Sequence, residues 1–187
     1  MSKINREFFF EQLHKSLYPK GLNQSQVDGH EAILDVWENG YDDKDDRWLA
    51  YMLATAYHET ARTLQPIEEY GHGKGRKYGE PEGPFGQRYY GRGYVQLTWY
   101  ANYVKADKEL GTHIAQHPED ALKPEIAAKV MFRGMMEGWF TTRKLSDYFA
   151  AGKADWFNAR KIINALDHAA QIADYGQSYY AAISYTH

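Results

Sequence analysis

At 187 residues the chain is long enough to bury a self-sufficient core, as one domain or as one domain folded into two lobes around a cleft. Its formal net charge of −3, with Lys and Arg dispersed, argues against nucleic acid, because phosphate binding needs clustered cations. Cysteine is absent, which excludes disulfides, a thiolate nucleophile and cysteine metal sites, and no apolar run approaches the roughly 18 residues of a membrane span.

The aromatic content is the unusual feature: 16 Tyr, 5 Trp and 8 Phe supply flat apolar faces with polar handles, as sugar clefts use. Most such rings are core in any protein. Phe8-Phe9-Phe10 is too short for the apolar region of a secretory leader, so no signal peptide is expected.

Taken in order, Phe8, Phe9, Leu13 and Leu17 recur near helical spacing and predict a first helix over 4–18. A second begins at Asn23 or Ser25, a good N-cap, carries Val27, Ile33, Leu34 and Trp37 inward, and stops at Asn39-Gly40. The acidic run 42–46 reads as a solvated cap that complements the dipole of the next helix, since it lacks the alternating offsets and glycine of a calcium loop. That third helix, about 45–63, is the most apolar, with Trp48, Leu49, Met52, Leu53 and Ala56 buried and Glu59 near its C-terminal end. Residues 65–88 turn abruptly to glycine, proline and mixed charge, which predicts a long loop or a small irregular β-hairpin, and a loop of that length in a compact domain is usually functional. Helices are expected again over 99–110, from Pro124 to about Gly138, and over 145–149, 155–166 and 167–183. No repeat or linker to a separate wall-binding module is evident, so 1–187 reads as one mainly α domain.

Among the motifs, His58-Glu59 invites comparison with zinc proteases, but Arg62 occupies the place of the second histidine, so no metal or other cofactor is expected. Gly71-His72-Gly73-Lys74-Gly75-Arg76 neither ends in Gly-Lys-Ser/Thr nor follows an apolar strand, which sets phosphate cradling aside. Glu59 could simply pair with Arg62 at i,i+3. Against that reading stand Glu68, Glu69 and the segment Gln96-Leu97-Thr98, because glycoside hydrolysis uses two carboxylates flanking the scissile bond.

Tyr57-His58-Glu59-Thr60, then Tyr89-Tyr90-Gly91-Arg92-Gly93-Tyr94-Val95-Gln96-Leu97-Thr98 and Asn102-Tyr103, resemble glycoside hydrolase family 19, the family of plant-type chitinases and many phage endolysins. Gly138-Trp139-Phe140-Thr141, 144–149 and Ala159-Arg160-Lys161-Ile162-Ile163-Asn164 resemble its later segments, so the likeness spans about 30–175. It implies a lysozyme-like, mainly helical, two-lobed fold and an inverting mechanism. Glu59 then corresponds to the general acid and Glu68 to the general base of the endolysin branch, with Glu69, Glu80 and Glu82 as the other nearby carboxylates and Glu69 the first fallback. Thr98 corresponds to the hydroxyl that holds the attacking water, and Gln96, Asn102 and Asn164 to substrate-binding amides. His58, Tyr90, Arg92 and Tyr94 complete the substrate-binding candidates, with Trp99 and Tyr103 as further stacking rings. Ala61-Arg62 and Ala165-Leu166 stand where the family has glycine pairs.

These residues lead to the expectation of a monomeric endolysin cutting β-1,4 bonds of peptidoglycan. Chitin is the second substrate, and a catalytically silent glycan-binding or virion-associated protein is the reading of a different class. A chain without leader or disulfides is expected to be made in a bacterial cytoplasm and to reach the wall through a separate release factor, with no insertion in a membrane.

Overall fold

The structure, a computed structural model, describes residues 3–186. Six α-helices carry it: α1 (Arg6–Ser16), α2 (Gln24–Glu38), α3 (Asp46–Glu59), α4 (Tyr100–Leu110), α5 (Pro124–Glu137) and α6 (Ala169–Ala182). Their starts follow the local chemistry of the sequence. Asn5 accepts from the Phe8 N–H, Asn23 and Gln26 form a reciprocal capping box, Asp45 accepts from the Arg47 N–H, and Pro124 opens α5.

Helix α3 is the central element. Leu49 through Tyr57 are all buried, and α6 packs along it; Gly176 on α6 makes room for the Trp156 ring, since a Cβ there would lie 2.8 Å from it. Truncating a residue such as Leu53 to Ala costs about 2–5 kcal/mol.

Around α3 the large core gathers α1, α2, α6 and one face of α5, including Phe9, Trp37, Met131 and Tyr179. A second, smaller core joins Tyr89, Leu97, Tyr103, Ile114, Val130 and Trp139. Helix α5 contributes to both, so the fold is mainly α and two-lobed.

Strands are minimal. β1 (Ile67–Glu68) pairs antiparallel with β4 (Arg92–Gly93), opposing Glu68 to Arg92; β2 (Pro81–Glu82) pairs with β3 (Gln87–Arg88); β5 (Phe149–Ala150) pairs with β6 (Lys153–Ala154). The loop predicted over 65–88 thus holds one hairpin and one strand that reaches outside it.

Four predicted helices come out differently. Helix α3 ends at Glu59, short of residue 63, because Thr60 donates its hydroxyl to the Ala56 carbonyl, accepts from the Leu64 N–H, and turns the chain into left-handed residues. Residues 145–149 form a 3₁₀ turn, Leu145–Asp147, running into β5, since Gly152 at φ 72° closes a hairpin. Within 155–166 only the 3₁₀ turn Asn158–Ile162 forms, the Asp155 carboxylate taking the Asn158 N–H, and α6 starts two residues late, after His168 at φ 56°.

Candidate active site

Glu59 is the last residue of α3, and its surroundings come from the far end of the chain. Its Oε1 accepts from Arg160 Nη1 at 2.7 Å. The Arg160 side chain is 4% exposed and Glu59 20%, so the pair is largely shielded from water. Arg160 is itself fixed, donating Nε to the Asp167 carbonyl at 3.0 Å, while its own carbonyl accepts from the Asn164 N–H. Arg62 takes no part: its guanidinium lies over the Tyr57 ring and reaches the Tyr175 hydroxyl, so the i,i+3 pairing with Glu59 does not form. The helix ends before that spacing can bring the two together. His58 sits half-buried with its ring 4.9 Å from that of His168, and burial first, then Arg160 and His168, push its pKa down despite Glu59. Its imidazole is therefore neutral at pH 7.

Three non-glycine residues follow in the left-handed region, Ala61 at φ 49°, Arg62 at 69° and Leu64 at 53°. Two of these are the positions where the resemblance places glycines, so the backbone course is kept at a conformational cost.

Glu68 sits on β1 within a different cradle. Its Oε1 accepts from the Tyr90 hydroxyl at 2.9 Å and from Arg92 Nε at 3.3 Å, and Oε2 lies 3.4 Å from His72 Nε2. Burial first, then the bond to Glu68, push the Tyr90 phenol up, so it remains a donor. The Glu68 side chain stays 35% exposed. Glu69 points elsewhere: its two oxygens accept from the Tyr78 hydroxyl and the Gly91 N–H, tying the loop to β4. Glu80 and Glu82 are exposed on the hairpin arm. Of the four carboxylates, Glu68 is the one held by both a phenol and a guanidinium while its side chain stays partly exposed.

Beside β1, Gln96 donates to the Ile67 and Gly93 carbonyls, bridging β1 and β4. Gly91 makes room for it, since a Cβ there would lie 2.6 Å from Gln96 Oε1. Gln96, Thr98 and Asn102 line a pocket of about 180 Å³ with Val95, Trp99, Phe140 and Ile163. Asn102 Nδ2 donates to the Thr98 carbonyl at 2.8 Å. Asn164 is exposed, directly after Ile163, with its Oδ1 accepting from the Ala165 N–H.

Several candidates have other work. Tyr94 is fully buried: the tight turn closed by Arg92 and Leu97 tucks its ring into the larger core, out of reach of a substrate. Tyr103 is buried as well, its hydroxyl between Arg92 Nη1 and the Tyr90 carbonyl. Tyr90 packs against the Arg92 guanidinium at 3.7 Å and the His72 ring at 4.8 Å, so its ring is engaged within the cradle of Glu68. Arg92 is buried and engaged with Glu68, Tyr90, Tyr103 and the Arg88 carbonyl, so it orients Glu68 and does not face substrate. Of the four expected stacking rings, Trp99, 44% exposed, keeps an open face.

No family model matches the chain, and no curated protein matches it. Solved structures do. Chitinase C from Streptomyces griseus HUT6037 aligns over 95% of this chain and 76% of its own, with 19% identity and a TM-score of 0.61. A family 19 class IV chitinase from Zea mays aligns over 95% of this chain and 92% of its own, with 15% identity and a TM-score of 0.57. A bacterial family 19 chitinase aligns over 95% and 94%, with 18% identity and a TM-score of 0.53. The fold is that of the family 19 chitinases.

Within this family 19 fold, Arg160 and His168 are the site residues that sequence reasoning missed. Ala159-Arg160-Lys161 lay in the resembling segment, yet nothing local connects it to Glu59, 101 positions away. An Arg set beside Ala159, Ile162 and Ile163 was the available signal, because a cation carried into an apolar segment needs a carboxylate.

Proposed function

We propose that the chain is a glycoside hydrolase that cleaves β-1,4 bonds between N-acetylhexosamine units with inversion, and that its substrate is bacterial peptidoglycan. The observation that carries this reading is the pair of separately built carboxylates. Glu59 is held at a helix end by a buried Arg, and Glu68 is held on a short strand by a phenol and a second Arg.

In this reading Arg160 fixes Oε1 of Glu59; Oε2, protonated when substrate is bound, gives its proton to the departing glycosidic oxygen, and the Arg160 guanidinium stabilises the carboxylate that remains. Glu68 Oε1 is fixed by Tyr90 and Arg92, and the carboxylate removes a proton from water held with the help of the Thr98 hydroxyl. That water attacks the anomeric carbon on the face opposite the leaving group, an arrangement that needs the carboxyls roughly 6.5–9.5 Å apart. Gln96 and Asn102 line the adjoining pocket, Trp99 offers an open aromatic face, His58 directly precedes Glu59, and the Asn164 N–H donates to the Arg160 carbonyl. No step requires a metal. Action on the wall would follow release from the cytoplasm by a separate factor.

Chitin is the second reading, favoured by the solved neighbours, which are chitinases. Purified protein incubated with peptidoglycan and with chitin oligomers decides between them through the reducing ends released. Release from peptidoglycan supports the first reading; release from chitin alone supports the second; release from neither removes both.

A further inference from the structure

At the end of α3 lies a pocket of about 260 Å³ lined by Tyr57, His58, Ala61, Arg62, Gln171 and Tyr175. It borders Glu59 through His58, the preceding residue, and the mechanism above makes no use of its floor.

Five of the six lining residues carry a polar group and none is a carboxylate, with Tyr57 and Tyr175 adding apolar ring surface. Arg62 is exposed, and among the described residues its guanidinium has an aromatic face at 5.8 Å and a hydroxyl at 3.4 Å but no acidic partner within ion-pair distance. Gln171 stands in the first turn of α6, whose N-cap, His168, makes no side-chain capping bond; the Ala169 N–H goes to the Leu166 carbonyl, and the helix dipole adds positive potential at this end. Cation, amide, phenol and helix end together suit an anion.

The backbone at Arg62 strengthens the case. Its carbonyl accepts from the Tyr18 hydroxyl and Gln26 Nε2, and its N–H donates to the Tyr57 carbonyl, so the turn is pinned without the side chain. At φ 69° glycine would be the less strained residue. The arginine there places in the pocket a guanidinium whose contacts are an aromatic face and a phenol, with no carboxylate among the lining residues.

We infer that this pocket is a carboxylate subsite, in which Arg62 pairs with an acidic group carried by the glycan strand and so selects an acidic N-acetylhexosamine polymer over a neutral one. The inference rests on the glycoside hydrolase reading and deepens it. The carboxylate is either the free lactyl group of a muramic unit or one belonging to a stem peptide.

Binding separates these sources. Glu59→Gln protein, which does not consume ligand, is titrated with chitotetraose, with a peptide-free peptidoglycan tetrasaccharide bearing lactyl carboxylates, and with a peptide-bearing tetrasaccharide. One acidic ligand should bind about tenfold more tightly than chitotetraose, the worth of a partly exposed charge-assisted pair. Whichever ligand shows the preference names the carboxylate. Adding Arg62→Gly, or Arg62→Gln as a second variant, should bring the ratio close to one, and Arg62→Lys should restore part of it. Equal affinities for all three ligands, or a preference that survives both substitutions, would overturn the subsite. If the unsubstituted enzyme cuts neither polymer while the Arg62-dependent preference persists, the hydrolase reading falls and the subsite stands. Cleavage without the preference removes the subsite alone.

Discussion

Glu59 closes a helix whose residues Leu49 to Tyr57 are all buried, whereas Glu68 rides on a two-residue strand just before a glycine-rich loop. The first carboxylate is placed by packing: α3 and α6 fix the helix, and one buried guanidinium, Arg160, completes the position. The second is placed by hydrogen bonds, from Tyr90 and Arg92, while neighbouring Glu69 ties the same loop to Gly91 and Tyr78. A helix can hold a side chain through distant apolar contacts, but a loop must hold it through its own polar side chains. The contrast can be tested from both ends.

The largest effects should fall on activity. Glu59→Gln and Glu68→Gln are each expected to lower the cleavage rate about 10²–10⁴-fold, the range for loss of a general acid or base, while circular dichroism stays native. A loss confined to one variant would break the symmetry of roles. On stability the sides should differ. Arg160→Ala leaves the Glu59 carboxylate part-buried without its partner and is expected to cost about 3 kcal/mol in urea unfolding, the lower end for a broken buried pair because Glu59 retains some exposure.

The helical side should also respond to acid through His30, which is fully buried between the Gln26 carbonyl and the Tyr179 hydroxyl. Burial pushes its pKa down from 6.5 to about 4. Between those values the unfolded chain holds the extra proton, so stability falls as pH drops from 6.5 to 4. The loss is about 3 kcal/mol, with no further contribution from this group below 4. His30→Gln should flatten that part of the stability curve, and an unchanged curve would show that another group carries the acid response.

Smaller effects belong to the loop side. Tyr90→Phe removes one donor from Glu68 and should cost about 1 kcal/mol in stability, with a measurable fall in rate that Arg160→Ala would not mimic on Glu68. Ala61→Gly, at φ 49°, should stabilise the protein by roughly 0.5–1 kcal/mol, since relief of the left-handed strain exceeds the added chain entropy. A destabilised Ala61→Gly would show that its methyl packs in the native turn.

The same contrast explains what could be read from sequence. Helices α1, α2, α3, α4 and α5 announce themselves through apolar period and caps such as Asn23 and Pro124, and the two-lobed α fold follows from them with the resemblance. Glu59 was legible because it ends the most apolar helix. The β1 to β4 pairing was not, since two residues carry no periodicity and their register depends on Gln96 bridging two carbonyls. Tyr94 read as a cleft residue because an aromatic in a glycine-punctuated segment resembles a surface platform, and only the turn closed at Leu97 sends it inward. Residues 155–166 read as helical from their apolar spacing, but Asp155 caps a short 3₁₀ turn that instead aims Arg160 at Glu59.

The central claim is that Glu59 acts as acid and Glu68 as base toward water, with the sugar inverted. The most direct measurement is proton NMR of the anomer first released when the wild-type protein cuts purified peptidoglycan or chitin oligomers, recorded before mutarotation. An α anomer appearing first from a β-linked substrate is the predicted result. A β anomer appearing first would mean that a carboxylate attacks the sugar directly, and would contradict the role given to Glu68.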